Sequence, residues 1–368
     1  MTVAPSLFAD AFVGRRVPLE RHLVCAMSGQ FPVLACAGGG ELAIVFRSGA
    51  GHYGVTGTLA TAWSVDGGRR WSDPIDVAPR GDDIRNPAFG VDAGGRWMLV
   101  YWKASVRCYP AVEGTGERHW KPEPATGDPN AAPETFAVIS EDRGRSWSAP
   151  RPVRCRTLPW CSPFGRIVPS GDGSYLMAAY GTAAGRLDGH SAIVLRSADG
   201  LNWGDDSLVC DEANELSLCP LGGSRLAGAL RTVAGATAIV HSHDQGRTWS
   251  APVQVTRELE HPADLTVLRD SGRLLLTFGR RRRPLGCGAL TSADNGLSWD
   301  HDHETMLAGD GVGNDVGYPS TVQLPGGDLV TALYFGKGSA GSDRFDGWGE
   351  VSCQALRYPE ALVVPPPR

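Results

Sequence analysis

The eight residues Ser64-Val65-Asp66-Gly67-Gly68-Arg69-Arg70-Trp71 decide how this chain reads, because nearly the same pattern, Ser-x-Asp-x-Gly-x-x-Trp, returns at 140–147, 197–203, 242–249 and 292–299. The copy at 197–203 is one residue short. A physical reason stands behind each element, since Ser and Asp side chains hydrogen-bond the turn's own amides, Gly supplies a positive φ, and Trp packs beneath the turn. A unit this small cannot bury a core alone and must stack on its neighbours.

A second repeat, of apolar strand, Gly-rich turn and apolar strand, occupies 33–46, 88–102, 167–180, 216–230, 265–278 and 321–335. Runs such as Leu274-Leu275-Leu276-Thr277-Phe278, bounded by Gly, Asp and Pro, read as buried strands. One hairpin with the turn motif after it supplies about four strands, the content of a propeller blade. The expected fold is therefore all-β, a six-bladed β-propeller forming one domain over residues 1–368 with short terminal extensions. The sixth unit has no Ser-Asp-Gly-Trp copy after it, so residues 342–358 are expected to complete its outer strands or close the ring. The longest interval between repeats, 106–134, is rich in Pro, Gly and charge and reads as a loop roofing a binding face.

Lys and Arg number 35 against 40 Asp and Glu, for a net charge of −5. The two signs are interspersed, which excludes neither binding nor catalysis but gives no footprint for nucleic acid or a membrane surface. Nine cysteines show no CxxC and no metal spacing. No metal or other cofactor is expected, and free thiols in a reducing compartment are the simplest account. Residues 1–23 carry Asp10, Arg15, Arg16, Glu20 and Arg21 without the apolar core of a secretory leader. No run approaches the roughly 18 apolar residues that span a bilayer. A cytoplasmic protein is the expectation.

In a propeller, the interblade loops and the first residues of each innermost strand line the mouth of the central channel. Here they are Gln30-Phe31-Pro32, Arg85-Asn86-Pro87, Phe164-Gly165-Arg166, Asn214-Glu215, His261-Pro262-Ala263-Asp264 and Asp315-Val316-Gly317-Tyr318-Pro319. Polar and charged groups from every unit converge on one axis.

The five turn motifs resemble the Asp-box (BNR) repeats of the sialidase superfamily, and the resemblance runs from about residue 28 to 336. It implies a sialidase-like propeller whose boxes are structural and remote from the sugar. It also implies a site: Tyr318 stands where the family carries its nucleophile, Glu215 where the activating glutamate lies, and Arg231 matches one arginine of a carboxylate-binding triad. A neutral phenol suits an oxocarbenium-like centre that bears a carboxylate, because an anionic nucleophile would be repelled. Sialidases are the tyrosine exception to two-carboxylate glycosidase chemistry, and planar guanidinium groups meet a carboxylate through two hydrogen bonds.

Two positions depart from the family pattern. Its leading Arg-Ile-Pro is Gln30-Phe31-Pro32 here, and the place of its acid/base aspartate falls at His52, which can still move protons near neutral pH. A lost charged contact is worth about 1.5–3 kcal/mol, so the missing cation is expected from Arg85, Arg166 or Arg280. Gln30, Arg47, His261 and Asp264 complete the expected substrate-binding set.

The leading expectation is a retaining, sialidase-like glycoside hydrolase acting on a terminal acidic sugar, with Tyr318, Glu215 and His52 as catalytic groups. Two alternatives stay open. One is a lyase in which His52 or Tyr318 removes the C5 proton of a uronic acid; the other is a non-catalytic carbohydrate-binding propeller that uses Trp102, Trp120 and Trp160 as stacking platforms. The expected partner in every case is a carbohydrate.

Overall fold

Short apolar runs closed by Gly and Asp turns leave the chain little alternative to antiparallel strands. The computed structural model describes residues 2–3, 19–49, 54, 56–78, 80–105, 133–183, 189–336 and 351–364. Among these, helix is confined to single 3-10 turns at His301–His303 and Glu360–Leu362. The rest of the regular structure is β, in a propeller-like array whose first strands contact one another in cyclic order.

One sheet is the meander Gln30–Gly38, Glu41–Ser48, Thr58–Ser64 and Ile75–Asp76. The same order recurs from Ala213–Gly222 to Val253–Gln254 and from Glu260–Val267 to Thr305–Gly311. Six separate sheets are predicted from the repeats, but the described residues form five. The meanders that begin at Asp83–Val91 and Ser162–Pro169 are fused into one eight-stranded sheet. Their first strands pair in parallel at the axis, Gly165 with Ala88 and Arg166 with Phe89.

The last sheet runs in the order Thr2–Val3, Glu20–Ala26, Ser352–Tyr358, Leu329–Phe335, Val316–Gln323. Its outer strands thus come partly from a segment that the repeats leave as an N-terminal extension. Glu20–Ala26 pairs antiparallel with Ser352–Tyr358, with His22 opposite Ala355 and Arg21 opposite Leu356. Between the first and last sheets, Leu34, Ile44 and Phe46 pack with Val330, Ala332 and Ala355, all without exposed surface. Burying each of the larger side chains contributes roughly 1.5–3 kcal/mol.

The turn motif does what its residue types allow. In the copy at 242–249 the Ser242 hydroxyl donates to Asp244 Oδ1 at 2.8 Å and accepts the Gly246 amide at 2.8 Å. Asp244 also accepts the amides of Arg247 and Thr248 at 3.1 and 2.9 Å, and Trp249 Nε1 donates to the Gly246 carbonyl at 3.1 Å. Gln245 and Gly246 both take positive φ there, 60° and 77°. Each copy follows the third strand of a meander, and Ser64 lies in register with Leu42 near the far end of the first hairpin. The motifs therefore sit at the opposite end of the sheets from the starts of the first strands.

Candidate active site

At the start of each first strand the antiparallel ladder breaks. The breaks fall between Gln30 and Val33, Arg85 and Ala88, Phe164 and Val168, Asn214 and Ser217, Glu260 and Ala263, and Gly317 and Ser320. A bulge re-aims the side chain of its extra residue. Phe31, Asn86, Glu215 and Tyr318 occupy these breaks with φ of 54°, 53°, 38° and 51°, and Gly165 with 72°. A left-handed backbone at a non-glycine residue costs about 1–2 kcal/mol, and such strain gathers where a side chain must be held in a set direction.

Two of these side chains are joined by a hydrogen bond. The Tyr318 hydroxyl donates to Glu215 Oε1 in a short hydrogen bond, and Arg231 Nη1 donates to Glu215 Oε2 at 3.0 Å. Tyr318 and Glu215 are 7% and 5% exposed, so the contact is shielded from water. Phe31 meets the Tyr318 ring edge-on at 4.8 Å, with Tyr334 at 5.7 Å and Phe164 at 5.9 Å. Burial and the Glu215 charge push the Tyr318 phenol well above the usual tyrosine range. Burial alone would raise Glu215 too, but Arg231, the phenolic hydrogen bond, Arg281 and His261 outweigh it and hold the carboxyl below its ordinary value. The resting pair is thus a neutral phenol beside a carboxylate, with the proton on tyrosine.

The fold brings to this pair a cation, Arg281, that is absent from the expected substrate-binding set. Arg281 lies 5.5 Å from the Tyr318 ring centroid, its Nε donates to the Val316 carbonyl at 3.3 Å, and its buried Nη2 has no partner among the described residues. Arg280 instead turns away and pairs with Glu304 at 3.2 Å, while Arg282 pairs with Glu260 at 2.9 Å. Strand direction explains the difference: Arg280 is the last residue of Leu274–Arg280, and Arg281 is the first to leave it.

The other expected groups divide. His261 is 2% exposed with Nδ1 unpartnered, and burial, Arg231 and Arg281 hold its imidazole down to about 3, so it is neutral. Gln30 is 1% exposed and its Oε1 has no donor among the described residues. Arg47, by contrast, is wholly buried, with Nη1 2.5 Å from Asp83 and 2.7 Å from the Ile84 carbonyl and Nη2 3.1 Å from the Gly54 carbonyl. Its guanidinium serves as an internal strut. Arg85 lies over Trp102 at 4.3 Å and 3.6 Å from Asp83. Arg166 and Asp264 pair with each other at 3.0 Å on the axis behind Tyr318, away from the mouth. His52 and Trp120 lie outside the described residues.

A polar and aromatic wall borders the pair on the side of Ser162–Pro169. Asn86 Nδ2 donates to Ser162 Oγ at 2.7 Å and Tyr180 Oη at 3.1 Å, and His190 stands edge-on to Tyr180 at 5.2 Å and Trp160 at 6.3 Å. Asn214 Nδ2 lies 3.5 Å from His190 Nδ1. His190 and Tyr180 were invisible as site residues because neither begins a first strand. Among the described residues no group of three or more His, Cys, Asp or Glu is arranged to hold a metal, and no helix is long and apolar enough to cross a membrane.

The profile of the BNR repeat-like domain matches residues 81–331. No curated protein matches the sequence. Solved structures do. A Dyadobacter fermentans protein of unknown function is 21% identical with a TM-score of 0.69, over 92% of this chain and 98% of its own. The Hadza microbial sialidase Hz136 is 18% identical with a TM-score of 0.68, over 92% of this chain and 67% of its own. The intramolecular trans-sialidase of Ruminococcus gnavus, in complex with oseltamivir carboxylate, is 15% identical with a TM-score of 0.65, over 92% and 96%. At these identities the likeness establishes a shared sialidase-like fold.

Proposed function

Because the chain belongs to the BNR repeat-like domain family, with a sialidase-like fold, we propose that it is a retaining glycoside hydrolase acting on a terminal acidic sugar. The observation that carries this reading is the buried hydrogen bond from the Tyr318 hydroxyl to the Glu215 carboxylate. A phenol with its pKa pushed up is a poor nucleophile unless a base takes its proton as it attacks. Glu215 is ionised and in contact, so it can do so.

In the proposed first step Tyr318 Oη bonds to the anomeric carbon, its proton passes to Glu215, and the glycosidic oxygen leaves with a proton from His52. In the second step a water, deprotonated by His52, displaces Tyr318, which regains its proton from Glu215. Two inversions give net retention. Arg231 and Arg281 hold the sugar carboxylate, with Arg281 offering its unpartnered Nη2, and Gln30 and His261 present neutral hydrogen-bonding groups beside them.

The test is covalent trapping with a fluorinated acidic glycoside, followed by intact mass and peptide mapping. Label on Tyr318, absent in Tyr318→Phe, supports the proposal. An active enzyme that stays unlabelled refutes the Tyr318 nucleophile. Release of an ultraviolet-absorbing unsaturated product from a uronide would favour the lyase instead.

We also read the eight-stranded sheet as two fused blades, which makes the ring six-bladed within one domain. Its halves each repeat the four-strand antiparallel order of the single sheets. The eight cysteines among the described residues are free thiols, and a cytoplasmic location is our proposal from the sequence alone.

A further inference from the structure

Neither Glu215 nor Tyr318 sits in a regular ladder, since each occupies a bulge. Something else must fix the distance between them. The first ordered residues behind the two bulges are Ser217 and Ser320-Thr321, and these converge on one carboxylate. Asp264, 4% exposed, accepts the Ser217 hydroxyl at 2.7 Å and Arg166 Nη2 at 3.0 Å on Oδ1, and the Thr321 amide at 2.7 Å on Oδ2. Arg166 extends the tie: Nη1 donates to the Thr321 carbonyl at 2.7 Å, and Nη2 reaches Thr266 Oγ1 at 3.2 Å and the Leu265 carbonyl. Ser320 Oγ in turn accepts the Leu34 amide at 2.9 Å, which links the first sheet to the last.

We propose that Asp264, together with Arg166, is the positioning group for the Tyr318–Glu215 pair: the axial ion pair ties the roots of both bulges and so sets the separation at which phenol meets carboxylate. This rests on reading that pair as nucleophile and base. Two features favour positioning over simple stabilisation. An ion pair of this kind is by itself weak evidence for stability, and here its further bonds run to Ser217 and Thr321, the residues that root the two bulges. In addition, a cavity of ≈ 20 Å³ lies between Tyr318, Ser217, Ser320 and Asp264, room for about one water. Aromatic rings pack the sides of Tyr318, while behind it the roots of the two bulges are held by directional bonds to Asp264.

The experiment compares the full-length protein with Asp264→Asn and with the double variant Arg166→Met/Asp264→Leu. Melting temperature, turnover of a fluorogenic acidic glycoside and the ultraviolet titration of Tyr318 are measured, the last as the difference from the same background carrying Tyr318→Phe. The double variant is expected to melt below the parent, because the Ser217 hydroxyl and the Thr321 amide lose their acceptor, and to show kcat lowered roughly 10- to 100-fold, the size of effect that a misplacement near 1 Å produces, with KM within a few-fold. Its Tyr318 phenolate should appear at lower pH than in the parent, because a loosened pair admits water and moves the phenol away from Glu215. A double variant with parental kcat and parental Tyr318 titration overturns the proposal. Should that variant not fold, Asp264→Asn keeps the shape and loses the charge; a smaller shift in the same direction supports the proposal, and an unchanged titration overturns it. If no acidic glycoside is turned over by any form, the hydrolase reading fails, while the titration still decides whether Asp264 positions the pair.

Discussion

Replacing Glu215 by Gln isolates the base from the scaffold. The amide keeps the shape of the carboxylate and can still accept the Tyr318 hydroxyl, yet it cannot take a proton. General-base assistance is worth about 10²- to 10⁴-fold, or roughly 2.7–5.4 kcal/mol at 1.36 kcal/mol per decade, and kcat is expected to fall by that factor. Stability should change less: the hydrogen bond from Arg231 loses its charged acceptor, worth about 1.5–3 kcal/mol, but the Arg231 side chain is 29% exposed and water compensates in part. KM should hold or drop, since Arg231 and Arg281 then face the anionic sugar without a competing carboxylate. The pH profile gives a second readout. Catalysis needs Glu215 ionised, and its pKa lies below the ordinary value, so the parent keeps its activity until the pH falls through that depressed pKa, and this acidic limb disappears in the variant. The assay is steady-state kinetics on a fluorogenic acidic glycoside across pH. A variant within tenfold of the parent kcat, or one that keeps the same acidic limb, would show that Glu215 is not the base.

Gly317→Ala should destabilise the protein by about 2 kcal/mol or more, read as a lower melting temperature, because Gly317 has φ +116° and a Cβ would lie 2.7 Å from Gly279 Cα. Asp244→Ala should cost about 1–2 kcal/mol through two lost backbone hydrogen bonds and leave kcat/KM unchanged, since this turn lies at the far end of the sheets; a large kinetic defect in folded protein would contradict that. His261→Gln should flatten the acid side of the stability curve. The folded imidazole titrates at about 3 against an ordinary 6.5, so below about 6.5 the unfolded chain binds a proton that the folded chain does not. Stability then falls as pH falls, by up to about 1.4 kcal/mol per unit. Chemical denaturation at a series of acidic pH values measures the slope, and an unchanged slope in the variant would refute the assignment.

The turns were legible because their chemistry is local: Ser242, Asp244, Gly246 and Trp249 satisfy one another within eight residues. Tyr318 and Glu215 were legible as candidates through family resemblance, and their meeting across 103 residues needed coordinates. Charge misled where the partner is remote. Arg47 and Arg166 flank the apolar runs 33–46 and 167–180 as ligands would, but their carboxylates, Asp83 and Asp264, arrive from 36 and 98 residues away. The four arginines from Arg280 to Arg283 offered no local signal to choose among them, because only strand direction separates Arg281 from its neighbours. The fusion of two meanders into one sheet was likewise unreadable, as it depends on a parallel contact of Gly165 and Arg166 with Ala88 and Phe89.

The pairing of Glu20–Ala26 with Ser352–Tyr358 makes the ring a clasped band whose first half is synthesised well before its second. The early half waits as an unpaired edge until the late half leaves the ribosome, so a nascent chain carries an open seam while all the intervening sheets are made. Closing it spans every sheet between the two strands, and contacts of such large sequence separation slow folding. Joining Ser352–Tyr358 to Glu20–Ala26 by a short linker and opening a distal turn instead would move the clasp into one continuous hairpin, and the refolding rate of such a permutant would report how far this seam limits assembly.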